Sequence, residues 1–161
     1  MSLTIRPAIP NDVPDIFQLI QALAEYEKLT HLVTGNEIAL QEHLFGDRPY
    51  CEAMVAQWRH ETVGFALFFA NYSTFLTQPG IYLEDIFVLP DYRRRGIGQA
   101  LLRSVARLAL ERGAGRLEWS VLHWNQPALA FYQSMGATIL PEWRICRVLG
   151  TSLENLVSGL T

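Results

Sequence analysis

Glu84 and Asp85 are the residues in this chain with the clearest capacity for chemistry. They are adjacent carboxylates inside a run, Tyr82 to Leu89, that is otherwise aromatic, β-branched or aliphatic. Neighbouring side chains in a strand face opposite ways, so at least one of the two points inward unless a bulge intervenes. A buried, unpaired carboxylate carries a penalty of roughly several kcal/mol, so it needs a partner or a task. One reading pairs it with an arginine while its neighbour faces solvent. The other makes it a group that draws in a cationic amine or accepts its proton, directly or through water, with a pKa set by burial and neighbours.

A second constellation follows at once in the chain. Pro90-Asp91 ends the strand, and Arg93, Arg94, Arg95, Gly96, Ile97 and Gly98 turn into an amphipathic helix. Ile97, Leu101, Val105 and Leu108 fall on one side of it, and Gln99, Arg103, Arg107 and Glu111 on the other. Gly113 stands where a left-handed cap would end it. The first N–H groups of a helix lack carbonyl partners and carry positive potential. Gly96 and Gly98 let anionic oxygens approach the backbone, and three arginines add charge. The strand–loop–helix context favours a diphosphate guest over a plain glycine turn with a solvated basic run. No Gly-Lys-Ser/Thr closes the loop as in a P-loop, and the first glycine of a dinucleotide fingerprint is missing.

Composition narrows the classes. The chain has 161 residues, 50% hydrophobic and 18% charged, which suits one globular domain over 1–161. A net charge of −3 argues against a broad nucleic-acid footprint; an isolated basic spot fits a small anion better. Cys51 and Cys146 form no CxxC, and His31, His43, His60 and His123 are scattered, so no metal site is expected. The N-terminus reads as a strand and not a signal peptide, and the apolar run Val63 to Ala70 is too short for a bilayer. A cytoplasmic protein without nucleic-acid or membrane partners is the expectation.

The elements that must position these groups can be read in order. Leu3–Arg6 alternates as a strand. Asn11 or Asp12 can cap a helix whose core stripe is Val13, Ile16, Phe17, Ile20, Leu23 and Ala24 and which runs out near Leu29. A second helix spans Glu37–Phe45. Strands at Cys51–Trp58 and Thr62–Tyr72 make an antiparallel hairpin around Arg59-His60-Glu61. Ile81–Leu89, the loop helix and a strand at Arg116–Leu122 come next. A short helix at Asn125–Met135 has Asn125 as cap, Pro127 in its first turn and Gly136 past its end. Ala137–Leu140 and Trp143–Leu149 read as a closing hairpin, and Thr151–Val157 as a terminal helix. The order is β-α-α-β-β-β-α-β-α-β-β, an α/β fold with a mixed, twisted sheet and helices on both faces.

Arg93, Gly96 and Gly98 within this block resemble motif A of the GNAT acyl-CoA N-acyltransferases, Arg/Gln-x-x-Gly-x-Gly/Ala, and the element order resembles the GNAT fold over nearly the whole chain. Asn125, Ala128, Phe131 and Tyr132, followed by Gly136, resemble motif B. On its own Tyr132 reads as a core aromatic. The resemblance implies that the loop from Arg93 through Arg94, Arg95, Gly96, Ile97 and Gly98 to Gln99 binds the coenzyme A pyrophosphate. It implies that Ile86, Phe87 and Val88 pair with the pantetheine arm, and that Asn125, Ala128 and Phe131 line the pantetheine and adenosine end. Acetyl-CoA would be the co-substrate. Tyr132 would protonate the departing thiolate, the N–H of Val88 would donate to the oxyanion, and Glu84 would be the catalytic carboxylate.

Tyr82-Leu83-Glu84-Asp85-Ile86-Phe87-Val88 with Asp91-Tyr92-Arg93, and Trp124-Asn125 with Pro127, are similar to segments of the diamine (polyamine) and thialysine N-acetyltransferases. That resemblance implies a small amine substrate contacted by Tyr26, Glu27, Glu84 and Asp85, with Glu142 a weaker counterpart. Separated carboxylates with aromatic walls suit ammonium groups spaced along methylenes. Alone, Glu27 reads as a solvated helix-end charge. His123 and Gln126 stand where acidic residues are frequent in the polyamine enzymes, which argues against a long polycation such as spermine and leaves smaller diamines or lysine-like amines open. A protein or peptide amine, or a non-catalytic acyl-CoA-binding module, are the alternatives. Homodimerisation is expected by family analogy, with Phe65–Phe69 and the C-terminal hairpin as interface unless they are core.

Overall fold

Residues 2–159 are described by a computed structural model; positions 1, 160 and 161 of the domain expected over 1–161 lie outside the described residues. The chain divides into two units, one ending at Ser120 and the other beginning at Val121.

In the first unit the period-2 segments assemble into one five-stranded sheet. Its strands are β1 (Leu3–Pro7), β2 (Glu52–Trp58), β3 (Glu61–Ser73), β4 (Gln78–Val88) and β5 (Leu117–Glu118), paired in that order. The first four run antiparallel, and β5 lies parallel to β4, so the sheet is mixed. The apolar residues of helix α1 (Val13–Tyr26) and helix α2 (Glu37–Phe45) face one side of it. Val13, Ile16, Leu19 and Leu44 meet Ala53, Val55, Phe65, Leu67 and Phe87 there. Helix α3 (Ile97–Glu111) covers the opposite face with Ile97, Leu101, Leu102, Val105 and Ala109 buried. Gly64 belongs to that second layer. A Cβ on it would come within 2.8 Å of the Phe87 carbonyl oxygen and 3.4 Å of Leu101. Glycine therefore lets α3 approach the middle of the sheet.

The expected dimer surface at Phe65–Phe69 is corrected by this packing. Phe65 is 0% and Phe68 1% exposed, so both belong to the monomer's core. The strand expected at Arg116–Leu122 shrinks to two residues. No helix among the described residues is long and apolar enough to cross a membrane.

The second unit contains helix α4 (Gln126–Ser134) and helix α5 (Thr151–Ser158). The hairpin expected at Ala137–Leu140 and Trp143–Leu149 does not form: positions 137–149 carry no strand. Alternation and β-branched content describe a side-chain pattern, but a strand also needs a backbone ladder, and among the described residues the two segments form none with each other.

An ion pair fastens the start of the first unit. Arg6 donates in a fork to Asp12, Nη1 to Oδ2 at 2.7 Å and Nη2 to Oδ1 at 2.8 Å, and the Ile9 N–H also donates to Oδ2. Asp12 therefore serves β1 and the turn before α1 instead of capping α1 with its side chain. It is only 5% exposed, and the Arg6 hydrogen bonds hold its carboxyl below the usual range. Its stabilisation is complete above the ordinary aspartate pKa of about 4 and is lost as the pH falls through the lowered folded value. Asp12→Ala is expected to reduce unfolding free energy at pH 7 by about 2–3 kcal/mol, the scale for breaking a part-buried, hydrogen-bonded pair. In a urea series from pH 7 to pH 2 the gap to wild type should close at the acid end. A constant gap would remove the ion pair as its cause.

Candidate active site

The two carboxylates sit at an irregularity in β4. Leu67 pairs with Asp85 and the next residue, Phe68, pairs with Leu83, so Glu84 is an extra residue in the ladder. This is a β-bulge, and it resolves the conflict between adjacent carboxylates and strict alternation. Glu84 is exposed. Asp85, opposite Leu67, is partly buried on the face that also carries Phe87. Burial, with added repulsion from Glu84 and Glu27, pushes the Asp85 carboxyl up to about 7. Burial also raises Glu27, which stands at the C-terminal end of α1, where the helix dipole gives a carboxylate no help. The region is thus an acidic, partly desolvated spot that a bound cation would relieve.

The outer edge of β4 is open beside these groups. Leu89 N–H donates to the Val63 carbonyl at 2.9 Å, which makes that pair the hydrogen-bonded kind. By alternation the pairs Gly64–Val88 and Ala66–Ile86 are the non-bonded kind, so Ile86 and Val88 direct their N–H and C=O away from β3. On that outer side β5 pairs only at Ile81 and Tyr82. The closed end is well tied: Gly115 N–H donates to Pro79 O at 2.8 Å, Ile81 N–H to Arg116 O at 3.0 Å, and Asn71 Nδ2 to Glu118 Oε1 at 2.8 Å. The Tyr82 and Ser120 hydroxyls lie 2.8 Å apart. Beyond Tyr82 no strand among the described residues flanks β4 on this side.

The arginine loop leaves the open end of β4. A 3₁₀ turn at Pro90–Tyr92 is followed by Arg94 at φ 59° and Gly96 at φ 77°, the residue before α3. A left-handed cap of this kind favours glycine. Ala100 N–H reaches Gly96 O at 2.9 Å as the first helical bond, so the N–H groups of Ile97, Gly98 and Gln99 precede the helix's own ladder. No side chain caps them. The buried Ile97 side chain anchors this end, while Gly96 is exposed and has open space where a Cβ would stand.

The three arginines separate. Arg94 is exposed. Arg95 lies over Trp58 and Tyr92, its Cζ 5.3 and 5.7 Å from their ring centroids. Arg93 turns inward: its Nε donates to the Val88 carbonyl at 2.9 Å, and its Cζ stands 4.5 Å from the Tyr26 ring centroid and 5.3 Å from that of Phe87. Tyr92 donates to Glu61 Oε2 at 2.7 Å and pins the loop to the first residue of β3. Tyr26, Glu27, Glu84, Asp85 and the loop therefore share the first unit. The Trp58 and Phe87 partners went unread in the sequence, since nothing in spacing relates them to the arginines.

The remaining candidates are in the second unit. Asn125 is 8% exposed and caps α4, its Oδ1 accepting from Ala128 N–H at 3.3 Å. Gly136, at φ 94°, follows the helix, and Ala137 N–H returns to Tyr132 O. Ala128, Phe131 and Tyr132 are all partly buried on α4, the two rings 5.4 Å apart. Glu142 is exposed and outside regular structure.

Comparison with known proteins agrees with this arrangement. Residues 16–137 match the model of the Acetyltransferase (GNAT) family. The chain is 36% identical to an L-ornithine N5-acetyltransferase of Arabidopsis thaliana, over 94% of this chain and 86% of that protein. It is 38% identical to the thialysine N-epsilon-acetyltransferase of Bos taurus, over 94% and 95% of the two chains. Among solved structures, an integron cassette protein from the mobile metagenome of V. cholerae superposes with a TM-score of 0.81 at 25% identity, covering 98% of each chain. An open strand edge, a glycine loop entering a bare helix N-terminus and a family match across 16–137 lead to one conclusion: the chain belongs to the GNAT family and is an N-acetyltransferase.

Proposed function

We propose that the protein acetylates a primary amine of a small diamine or of a lysine- or ornithine-like amino acid, with acetyl-CoA as donor. The observation that carries this reading is the acidic spot formed by Asp85, Glu84 and Glu27 at the open edge of β4, walled by aromatic residues. An ammonium group is the natural complement of partly desolvated carboxylates. The names of the ornithine and thialysine relatives support the same class. The domain is taken to extend over the whole chain, since the family match crosses both units.

The chain's groups fit the donor. The bare N–H groups of Ile97, Gly98 and Gln99 and the exposed Arg94 suit its diphosphate, and the outward N–H and C=O of Ile86 suit its amide-bearing arm. The donor supplies a thioester carbonyl open to attack by a neutral amine. Glu27, Glu84 and Asp85 attract the ammonium and lower its freedom to drift. Asp85 has the more suitable surroundings for taking the amine's proton, because its carboxyl titrates near neutrality. Glu84, exposed on the bulge, can pass the proton through water. The Val88 N–H is assigned to the oxygen that gains charge, and the Tyr132 hydroxyl to returning a proton to the leaving sulfur. Asn125, Ala128 and Phe131 are assigned to the donor's far end, and Glu142 to the amine's outer charge.

The direct test incubates acetyl-CoA with ornithine, lysine, thialysine, putrescine, spermidine and spermine and reads products by mass spectrometry. Monoacetylated product is expected from the short amines, with spermine poorest; a blank panel would sink the reading. For the proton, kcat/KM for the amine should fall on the acid side of a pKa near 7. Asp85→Asn should remove that limb and lower kcat by about 10²-fold, more than Glu84→Gln does. The opposite ranking would return the role to Glu84.

The same reading makes the protein a cytoplasmic homodimer. Exposed Tyr72, Phe75 and Leu76 at the β3–β4 turn are apolar surface that a second copy could cover. Light scattering is expected to give twice the 18.3 kDa chain mass; the monomer mass would remove the dimer.

A further inference from the structure

Arg93 opens the glycine motif, yet its side chain is engaged by the end of β4 and by two aromatic rings. It makes two kinds of contact. The Nε proton goes to the Val88 carbonyl, one of the outward-facing groups of the open edge. The guanidinium lies over Tyr26 and Phe87, whose rings are themselves 6.4 Å apart. Tyr26 is the last residue of α1, directly before Glu27, and Phe87 is two residues from Asp85. One side chain therefore joins three pieces: the loop that starts α3, the end of the strand edge, and the aromatic wall of the acidic spot.

We propose that Arg93 is a positioning residue for the amine side of the reaction and not a ligand of the donor's diphosphate. The proposal rests on the acetyltransferase reading above. Its physical content is threefold. A planar guanidinium held over two rings gains from both while keeping its edge free to donate. By occupying the Val88 carbonyl it satisfies an edge acceptor that would otherwise seek a different donor, and so it fixes that peptide's plane. By holding Tyr26 it fixes the C-terminal end of α1, which sets the distance between Glu27 and Asp85. Arg94 and Arg95 differ: Arg94 is exposed, and Arg95 rests on rings outside the acidic spot.

The test compares Arg93→Gln, Arg93→Lys and Arg94→Ala with wild type. Calorimetry gives the Kd for acetyl-CoA, and steady-state kinetics gives KM and kcat for the panel amine that yields product. Arg93→Gln should raise the amine KM about tenfold, the loss expected for a desolvated cation–π pair, and change the acetyl-CoA Kd by less than about threefold. Arg94→Ala should show the reverse pattern. Arg93→Lys keeps a cation over the rings and should recover part of the amine KM, which also covers the case in which Arg93→Gln folds poorly. Combining Arg93→Gln with Tyr26→Leu should raise the amine KM by less than the product of the single effects, since both remove the same contact. A tenfold weaker acetyl-CoA Kd with unchanged amine KM, in either Arg93 variant, overturns the proposal alone. Wild type that neither binds acetyl-CoA nor acetylates any panel amine overturns the acetyltransferase reading and this proposal with it.

Discussion

The structure of the first unit depends on a strand that is paired fully on one side and scarcely at all on the other. β3 satisfies β4 along its length, while β5 meets it at Ile81 and Tyr82 and then stops. Unpaired backbone donors and acceptors on a strand edge are a template for another extended chain, and Ile86 presents both of its groups there. The hydrogen bonds from Gly115, Ile81 and Asn71 keep one end shut. The core layers on both faces prevent the open end from collapsing: α1 and α2 hold Phe87 and Leu67, and α3 packs on Gly64 and its neighbours. The edge is thus rigid without being complete.

Charge is distributed along this edge with the same economy. Glu27, Glu84 and Asp85 make the bulge negative. The start of α3, with Arg94 beside it, makes the loop positive. Under the proposed function an amine and a diphosphate would be drawn to different places along one strand and the loop that follows it. The net charge of −3 says little about this, because the separation and not the sum carries the effect.

Much of the arrangement was legible from residues. The stripes of α1 and α3 place Val13, Ile16, Leu101 and Val105 in the core as their spacing requires. Asn125 caps α4, and Gly113 takes the left-handed turn after α3, because local hydrogen bonds and sterics settle such positions. The carboxylate pair announced a bulge as the alternative to burying a charge, but only the β3 register decides that Glu84 is the extra residue and Asp85 the buried one. The inward turn of Arg93 depends on Tyr26, which comes 67 positions earlier in the chain. The hairpin expected between Ala137 and Leu149 does not form: alternation says which side chains would share a face and nothing about whether the two backbone segments pair.

The bulge has an implication for how this chain can change. Upstream of Glu84 and downstream of it, β4 follows two different inside–outside phases that are reconciled only by that surplus position. Exchanging the side chain at 84 leaves both phases intact. Removing the position, or adding another, would carry Leu83 and Ile81 to the α1 layer, or Asp85 and Phe87 to the α3 layer. The fold thus tolerates a change of residue type at this point of the strand, whatever it does to the acidic spot, but not a change of length, so relatives aligned here should differ by substitution and never by a gap.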